Sequence, residues 1–312
     1  MTETPKPRVL FVDDEPRILS TMRMLFKANY ELFFADSGAK ALELLKTQVV
    51  DVIVSDQRMP GMTGIELLRQ ARELNPNAMR ILLTGYSDLN AIIGSVNDGE
   101  IFRFVNKPWN NEELSNTVAK AVVAAKGSAA AAAKPGDPAP MAIPGGTGVL
   151  VLDEDASVPG QIQQIVGQEN HVFGATTMEQ AVGVLEKEKI GVVISETRVQ
   201  DNPVINLIAT LKQHRPELVS VILTDHADAG AAIGLINQGQ IYRYIVKPVQ
   251  STQAKIAVNS AMKQHQRLAQ SPELQQRYEP AAAPASSVPQ PGGPSAGMLD
   301  RIKALRWGKK PA

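Results

Sequence analysis

Two blocks of this chain repeat each other, and this internal duplication constrains the fold more than any other feature of the sequence. Residues 9–110 align without a gap with residues 149–250, at an offset of 140, and roughly a quarter of the aligned positions are identical. The run "RVLFVDD" pairs with "GVLVLDE", "DVIVSDQR" with "GVVISETR", "ILLTGYSD" with "VILTDHAD", and "IFRFVNKP" with "IYRYIVKP". Because 312 residues are enough for two domains of ordinary size, we interpret the blocks as two copies of one domain.

The repeated runs are short and rich in Val, Ile and Leu, and each ends in a polar residue. Such runs are typical of strands buried on both faces of a parallel sheet. The segments between them, for example 37–48 and 63–76, carry apolar residues at helical spacing. Strand and helix alternate five times in each block, which predicts an α/β chain with two doubly wound (βα)5 domains. In such folds the functional site lies at the carboxyl ends of the strands.

The domain boundaries follow from composition. Two segments are rich in Ala, Pro and Gly and poor in large apolar side chains, so neither is expected to pack a core. We predict an N-terminal extension over residues 1–6, a first domain over 7–125, a flexible linker over 126–147, a second domain over 148–270, a disordered linker over 271–297 and a basic amphipathic tail over 298–312.

Charge and composition exclude several function classes. The 32 Lys and Arg residues balance the 32 Asp and Glu residues, so no overall field favours direct nucleic-acid binding. The absence of cysteine excludes disulfides, zinc-thiolate sites and thiol catalysis. The sequence shows neither a signal-peptide pattern nor an apolar run near the roughly 18 residues of a membrane span. These features predict a cytoplasmic protein without a transmembrane segment.

Polar residues with related chemistry end the predicted strands of the first block: Asp13, Asp14, Asp56, Thr84 and Lys107. Clustered carboxylates repel one another unless a cation balances them. Mg²⁺ is the natural cation, because it prefers hard oxygen ligands and often bridges to a phosphoryl group. The set therefore predicts a site in which Asp56 attacks phosphorus to form an acyl phosphate, while the hydroxyl and the ammonium group stabilise charge.

The motifs "FVDDEP", "VSDQRMPGMTG", "ILLTGYSD" and "FRFVNKPW" in residues 7–125 resemble the receiver domain of bacterial two-component response regulators. The resemblance implies a flavodoxin-like fold with a parallel five-stranded sheet in the order 2-1-3-4-5. It implies phosphorylation of Asp56 by a histidine kinase or a phosphotransfer protein. It also implies Mg²⁺ held by Asp14, Asp56 and the backbone carbonyl of Arg58, helped by Asp13.

The resemblance also assigns roles to residues of the last two strands. Thr84 and Phe104 match the switch pair, in which the hydroxyl moves toward the phosphoryl group and the aromatic ring turns inward. Lys107 matches the lysine that pairs with the phosphoryl oxygens. Pro108 would follow a cis peptide bond that places this lysine.

The second block resembles a receiver that has lost its phosphoacceptor. Glu196 stands where the first block has Asp56, while the rest of the site is kept as Asp153, Glu154, Thr224, Tyr244 and Lys247. Two interpretations stay open. Glu196 pairs with Lys247 and holds a phosphorylation-like state, although a single carboxylate mimics a phosphoryl group only in part. Alternatively, the site is inactive and the domain survives as a dimerisation or docking surface.

No helix-turn-helix or catalytic output signature is present in the sequence, so we expect the output to run through protein contacts, as an adaptor or a phosphate sink. A downstream protein partner is expected to bind residues 298–310. The family's face of fourth helix, fifth strand and fifth helix, roughly 88–122 and 228–265, would allow a homodimer. We expect no enzyme activity beyond weak autophosphatase activity, with water placed near Mg²⁺, Arg58 and Tyr86.

Two alternative functions belong to other classes. An aspartyl-phosphate phosphohydrolase usually places a second Asp two residues after the nucleophile, and Arg58 at that position argues against it. In the other alternative the chain is a sensor or scaffold in which neither receiver is phosphorylated. That alternative rests on analogy alone, because no Gly-rich phosphate loop is present in the sequence.

Overall fold

A computed structural model describes residues 5–85, 101–132, 146–225, 229–239, 241–275, 297 and 301–302. The chain divides into two compact units, Met1–Pro135 and Gly136–Ala312. None of the helices within the described ranges is long and apolar enough to cross a membrane.

The first unit alternates strands and helices around one parallel sheet. Its elements are β1 (Arg8–Val12), α1 (Pro16–Phe26), β2 (Glu31–Ala35), α2 (Gly38–Leu45), β3 (Val52–Asp56), α3 (Gly64–Leu74), β4 (Met79–Thr84), β5 (Arg103–Asn106) and α4 (Asn111–Ala132). The strand order is β2-β1-β3-β4-β5, and all pairings are parallel. The predicted doubly wound fold and strand order are therefore confirmed. The predicted helix between β4 and β5 lies outside the described residues.

Apolar side chains of the strands and helices form the core of the first unit. One cluster joins Val9 and Phe11 of β1 to Met22 and Phe26 of α1 and Val118 of α4. The rings of Phe11 and Phe26 lie 5.0 Å apart in a tilted arrangement. Helices α2 and α3 contact each other. The sheet is thus buried between helices, which explains why its strands read as continuous apolar runs.

Capping residues set the starts of two helices beside the site. The Ser37 hydroxyl accepts a hydrogen bond from the Lys40 backbone N–H at the start of α2. Thr63 and Glu66 form a reciprocal capping box at the start of α3. Helix α4 continues to Ala132, beyond the predicted domain boundary at residue 125, because the alanine-rich sequence there has high helix propensity. The predicted linker is therefore helical over its first residues.

Gly64 lets α3 begin directly against the strand that carries Asp56. Its backbone N–H donates to the Gln57 carbonyl at 3.0 Å. A Cβ at this position would lie 2.1 Å from the Asp56 carbonyl oxygen and 2.8 Å from Leu82 Cδ1. Only glycine avoids this overlap, so the close approach of helix and strand depends on it.

Gly64→Ala is expected to lower the free energy of unfolding of the first unit by about 2 kcal/mol, because the added methyl group must displace the Asp56 backbone. Urea unfolding followed by Trp109 fluorescence, in a Trp307→Phe background, measures this change. Gly85→Ala is the control, since a Cβ there meets nothing within 4 Å. Equal stability of the two variants would contradict the prediction.

The second unit repeats the same architecture. Its elements are β6 (Gly148–Leu152), α5 (Ser157–Val166), β7 (His171–Ala175), α6 (Met178–Lys187), β8 (Ile190–Ser195), β9 (Arg198–Val199), β10 (Asn202–Pro203), α7 (Ile205–His214), β11 (Val219–Thr224), α8 (Ala229–Gly234), a π-helical turn (Leu235–Gly239), β12 (Arg243–Val246), α9 (Ser251–Gln270) and α10 (Pro272–Gln275). The five-stranded sheet has the order β12-β11-β8-β6-β7. This is the order of the first unit, as the duplication predicts.

The second unit differs from the first after β8. The short strands β9 and β10 pair antiparallel there, and Gln200 and Asp201 between them have φ angles of 50° and 60°. At the other end, α10 extends the packed region past the predicted boundary at residue 270, since Leu274 is buried. The peptide bonds Lys107–Pro108 and Lys247–Pro248 are both cis.

Candidate functional site

The residues predicted for the first site stand at or just after the carboxyl ends of the strands. Asp13 follows β1, Asp56 ends β3, Thr84 ends β4 and Lys107 follows β5. In the sheet register Asp56 pairs with Leu83 and Thr84 pairs with Asn106, which aligns these ends along one edge. Parallel strands therefore bring together residues that lie up to 94 positions apart in the sequence.

Three carboxylates form a cluster at this edge. One oxygen from each of Asp13, Asp14 and Asp56 lies within 4.8 Å of the others. Asp13 and Asp56 are buried, whereas Asp14 is exposed. Burial raises the pKa of the Asp13 carboxyl, and the Asp56 charge adds to this effect. The Glu15 backbone N–H and Lys107 act in the opposite direction. Hard oxygen donors in this arrangement fit a divalent cation such as Mg²⁺.

Lys107 reaches into the carboxylate cluster. Its Nζ lies 2.7 Å from Asp56 Oδ1 and 3.4 Å from Asp13 Oδ2. Burial lowers the pKa of Lys107, but the hydrogen bonds and charges of Asp56 and Asp13 outweigh it, so the net shift is upward. The backbone N–H of Lys107 donates to the Thr84 carbonyl at 2.9 Å, which fixes the lysine to the end of β4. The ammonium group also lies 5.8 Å from the centre of the Trp109 ring.

The residues matched to the switch pair are both buried. Thr84 is 1 % exposed and its hydroxyl donates to the Gly85 carbonyl at 3.1 Å. Phe104 is 2 % exposed and pairs with Leu82 in the register of β4 and β5. Their switching role remains a prediction. Tyr86, expected near the hydrolytic water, lies outside the described residues.

The loop after Asp56 is fastened by a residue that sequence reasoning missed. Gln57 is buried, and its backbone N–H donates to the Leu83 carbonyl at 2.9 Å. Its side-chain Oε1 accepts from the Ile65 N–H at 3.2 Å. Arg58, the next residue, is exposed, which leaves this part of the loop at the surface. A buried glutamine beside Asp56 gives no signal in the sequence, because its neighbours in the sequence are those of an ordinary loop residue.

In the second unit Lys247 lies among three carboxylates. Its Nζ is 2.8 Å from Asp153 Oδ2, 3.1 Å from Glu196 Oε2 and 3.2 Å from Asp225 Oδ2. Burial lowers the pKa of Lys247, but the three carboxylates outweigh it and hold the pKa well above its usual range. Asp225 was missed by sequence reasoning, although it replaces Gly85 of the first block directly after the threonine that both blocks share.

The Glu196 carboxylate is bonded through both oxygens. Oε1 accepts from the Thr197 N–H at 2.8 Å and from the Thr197 hydroxyl at 3.1 Å. Oε2 contacts Lys247 and accepts from the Asp225 N–H at 3.3 Å. The longer side chain thus brings its carboxylate to the lysine and to the backbone at the end of β11.

The other residues of the second site are buried or form hydrogen bonds within the second unit. Glu154 Oε2 accepts from the Gln200 N–H at 2.9 Å, so this carboxylate fastens the turn between β9 and β10. Thr224 and Tyr244 are buried. Within the described ranges, the one group of three carboxylates able to share a metal ion is Asp13, Asp14 and Asp56. The two sites therefore have related residues but differ in charge arrangement: the first has three carboxylates that can share a metal ion, and the second has three carboxylates paired with one lysine.

The repeated blocks match a known protein family. The family described as the response regulator receiver domain matches residues 9–119 and again residues 149–259. Both matches begin within the first strand of a unit and run into its last long helix.

Several curated proteins are similar to part of this chain. The hydrogenase transcriptional regulatory protein HoxA of Cupriavidus necator is 41% identical over 116 residues, which are 37% of this chain and 24% of HoxA. The sporulation initiation phosphotransferase F of Bacillus subtilis is 32% identical over 114 residues, 36% of this chain and 91% of that protein. The chain spans about a quarter of the length of the HoxA proteins it matches.

Solved structures show the same likeness over part of the chain. The signal receiver domain of an HD domain-containing protein from Pseudomonas fluorescens Pf-5 is 35% identical, with a TM-score of 0.40, and covers 42% of this chain and 96% of that one. A CheY-like response regulator receiver domain protein from Methanospirillum hungatei is 27% identical, with a TM-score of 0.37 and coverages of 39% and 97%.

Proposed function

Because this chain belongs to the family of response regulator receiver domains, we propose that it acts in two-component signal transduction with one phosphorylatable receiver and one silent receiver. The first unit accepts a phosphoryl group on Asp56 from a histidine kinase or a phosphotransfer protein. The second unit does not accept one. The observation that carries this proposal is the contrast between Asp56, which lies 2.7 Å from Lys107 within a carboxylate cluster, and Glu196, which is bonded through both oxygens.

In the transfer step an oxygen of Asp56 forms a bond to phosphorus while the bond from phosphorus to the imidazole nitrogen of the donor breaks. The electron pair of the broken bond stays on the donor nitrogen. Lys107 lies where its ammonium group can exchange its contact with Asp56 for contacts with the phosphoryl oxygens. The product is an acyl phosphate on Asp56, and positioned charge of this kind is the main source of catalysis in phosphoryl transfer.

Asp13, Asp14 and Asp56 are the residues that would hold Mg²⁺, with the backbone carbonyl of Arg58 as a further ligand. Bound Mg²⁺ supplies positive charge that offsets the negative charge of the carboxylates and of the incoming phosphoryl group. The chain's own contribution is to hold Asp13 and Asp56 buried and close together at the sheet edge.

In the second unit Glu196 serves as a permanent partner of Lys247, which supports the interpretation of a fixed, phosphorylation-like arrangement. Lys247 pairs with Asp153, Glu196 and Asp225, which is one carboxylate more than Lys107 pairs with in the first unit. A fixed second receiver in the same chain as a switchable first one fits an adaptor, or a phosphate sink that competes for a kinase.

The output is expected to run through protein contacts rather than through DNA binding or an enzymatic domain. Candidate surfaces are residues 298–310 for a downstream protein and, for a homodimer, residues 88–122 in the first unit or the corresponding residues 228–265 in the second. Part of that face lies outside the described residues. Enzyme activity beyond slow hydrolysis of the acyl phosphate is not expected, and we propose the cytoplasm as the place of action.

Beryllofluoride tests the proposed site, because it adopts the shape of a phosphoryl group and binds to a carboxylate oxygen. With Mg²⁺ present, fluorine NMR is expected to show one bound equivalent per chain. Asp14→Asn is expected to weaken this binding about tenfold or more, since it removes one charged oxygen ligand from the cluster.

The matched control is Glu154→Gln, which changes the aligned carboxylate of the second unit. This variant is expected to bind beryllofluoride as the unmodified chain does. A loss of binding in Glu154→Gln, or binding by Asp14→Asn at full strength, would refute the assignment of the first unit as the active receiver.

A further inference from the structure

Arg301, one of the described residues of the basic segment 297–310, contacts α6 of the second unit. Arg301 Nε lies 2.7 Å from Glu186 Oε1, and Arg301 Nη2 lies 2.7 Å from Glu186 Oε2. This is a two-point contact between a guanidinium group and a carboxylate, the geometry that arginine favours. Arg301 Nη1 also lies 3.9 Å from Glu179 Oε1, which is on the same face of α6 two turns before Glu186.

Ile302, the residue after Arg301, is buried. Its side chain is 0 % exposed, although it is preceded by 21 residues, 276–296, in a sequence too poor in large apolar groups to form a core. An isoleucine removed from water in this way gains the free energy of apolar burial. The ion pair sets the position of the segment, and burial of the Ile302 side chain stabilises the docked state.

The acidic face of α6 is specific to the second unit. Glu179 and Glu186 align with Ala39 and Lys46 of the first unit. The corresponding surface there is an open groove between α2 and α3, lined in part by Lys40, Lys46 and Met62. Glu43 and Glu73 also line this groove, but Lys46 pairs there with Glu43, so the first unit has no carboxylate at the place of Glu186 to receive an arginine.

Sequence and chain length both suit docking within one molecule. The segment carries Arg301, Lys303, Arg306, Lys309 and Lys310, together with the apolar residues Met298, Leu299, Ile302 and Leu305. The 21 residues between Gln275 and Gly297 can span at most about 75 Å. A covalently linked segment meets its site at a high effective concentration, so modest contacts suffice for docking.

We propose that the face of α6 bearing Glu179 and Glu186 is a docking site for the chain's own basic segment 297–310. A docked segment is not available to bind another protein. The second receiver therefore has a function of its own, which is to bind this segment, although it does not accept a phosphoryl group. This inference does not depend on phosphorylation of Asp56.

Amide hydrogen exchange of the full chain tests the docking. Arg301→Glu and Glu186→Arg are each expected to speed exchange within α6 (Met178–Lys187) about two- to fivefold, and Ile302→Asp by more. The double variant Arg301→Glu with Glu186→Arg is expected to restore the slow exchange, because the pair re-forms with reversed charges. Glu188→Lys, an equal charge change two residues from Glu186, is the control and is expected to leave α6 exchange unchanged.

Exchange in β6 and β8 reports whether the second unit stays folded in each variant. Unchanged α6 exchange in Arg301→Glu, Glu186→Arg and Ile302→Asp would overturn the proposal. Protection of α6 that is lost on dilution would also overturn it, because the docked segment would then come from a second copy of the chain.

Discussion

Asp56→Asn is expected to lower the rate of phosphoryl incorporation from acetyl phosphate by more than about a thousandfold, to background. The amide removes the nucleophilic carboxylate oxygen while keeping the size of the side chain, and loss of a nucleophile typically removes nearly all of the catalysis. No other carboxylate of the described residues combines burial, a lysine at 2.7 Å and two neighbouring aspartates. The rate is measured by intact mass in the presence of Mg²⁺.

Glu196→Gln is the matched control, because residue 196 occupies the aligned position in the second unit. Its rate of phosphoryl incorporation is expected to equal that of the unmodified chain. Phosphorylation of the Asp56→Asn chain at Glu196, or at any other residue, would show that the two sites have been assigned wrongly.

Lys247→Ala is expected to lower the free energy of unfolding of the second unit by about 3–5 kcal/mol. The substitution leaves Asp153, Glu196 and Asp225 together without the cation that they surround, and breaking an ion pair that is largely buried costs this much. The side chains of Lys247, Asp153 and Glu196 are 11%, 3% and 13% exposed, so water compensates little for these two pairs, whereas Asp225 is 61% exposed and its pair contributes little. Amide exchange in β6 and β8 at equilibrium measures the change.

The stabilisation by Lys247 has a defined pH dependence. Its pKa in the folded chain is raised above the ordinary value of 10.5. A lysine with a raised pKa contributes its stabilisation fully below its unfolded pKa and loses it only as the pH rises through the folded pKa. The difference between the unmodified chain and Lys247→Ala is therefore expected to be constant from pH 7 to 9.

Lys107→Ala is the aligned control for this prediction. Lys107 pairs with two carboxylates and its side chain is 28% exposed, so we expect a smaller loss, of about 1–2 kcal/mol, in the first unit. A larger loss for Lys107→Ala than for Lys247→Ala would contradict the view that the second site is the one held by internal ion pairs.

The fold could be predicted from the sequence because local and global signals agree. Runs such as Val52–Asp56 and Ile190–Ser195 are apolar over the length of one strand and are interrupted by segments with helical spacing. Because the block is duplicated, each strand and helix is predicted twice, once from each copy. The strand-end residues of the first site followed from the same logic, since parallel strands bring their carboxyl ends together.

The remaining features depend on contacts between distant residues. Asp225 reads as a turn residue, and only the folded chain shows its carboxylate 3.2 Å from Lys247. Gln57 looks like any loop residue until its hydrogen bonds to β4 and α3 are known. The contact between Arg301 and Glu186 joins residues 115 positions apart, and composition alone gave no reason to pair them.

The number of phosphoryl groups that the full chain accepts distinguishes one active and one silent receiver from every other arrangement. Intact mass spectrometry after incubation with acetyl phosphate and Mg²⁺ measures this number, with a magnesium-free sample alongside. We predict a single added phosphoryl group, present only with Mg²⁺ and located on Asp56. Two added groups would show that the second receiver is active, and none would show that the chain acts as a scaffold.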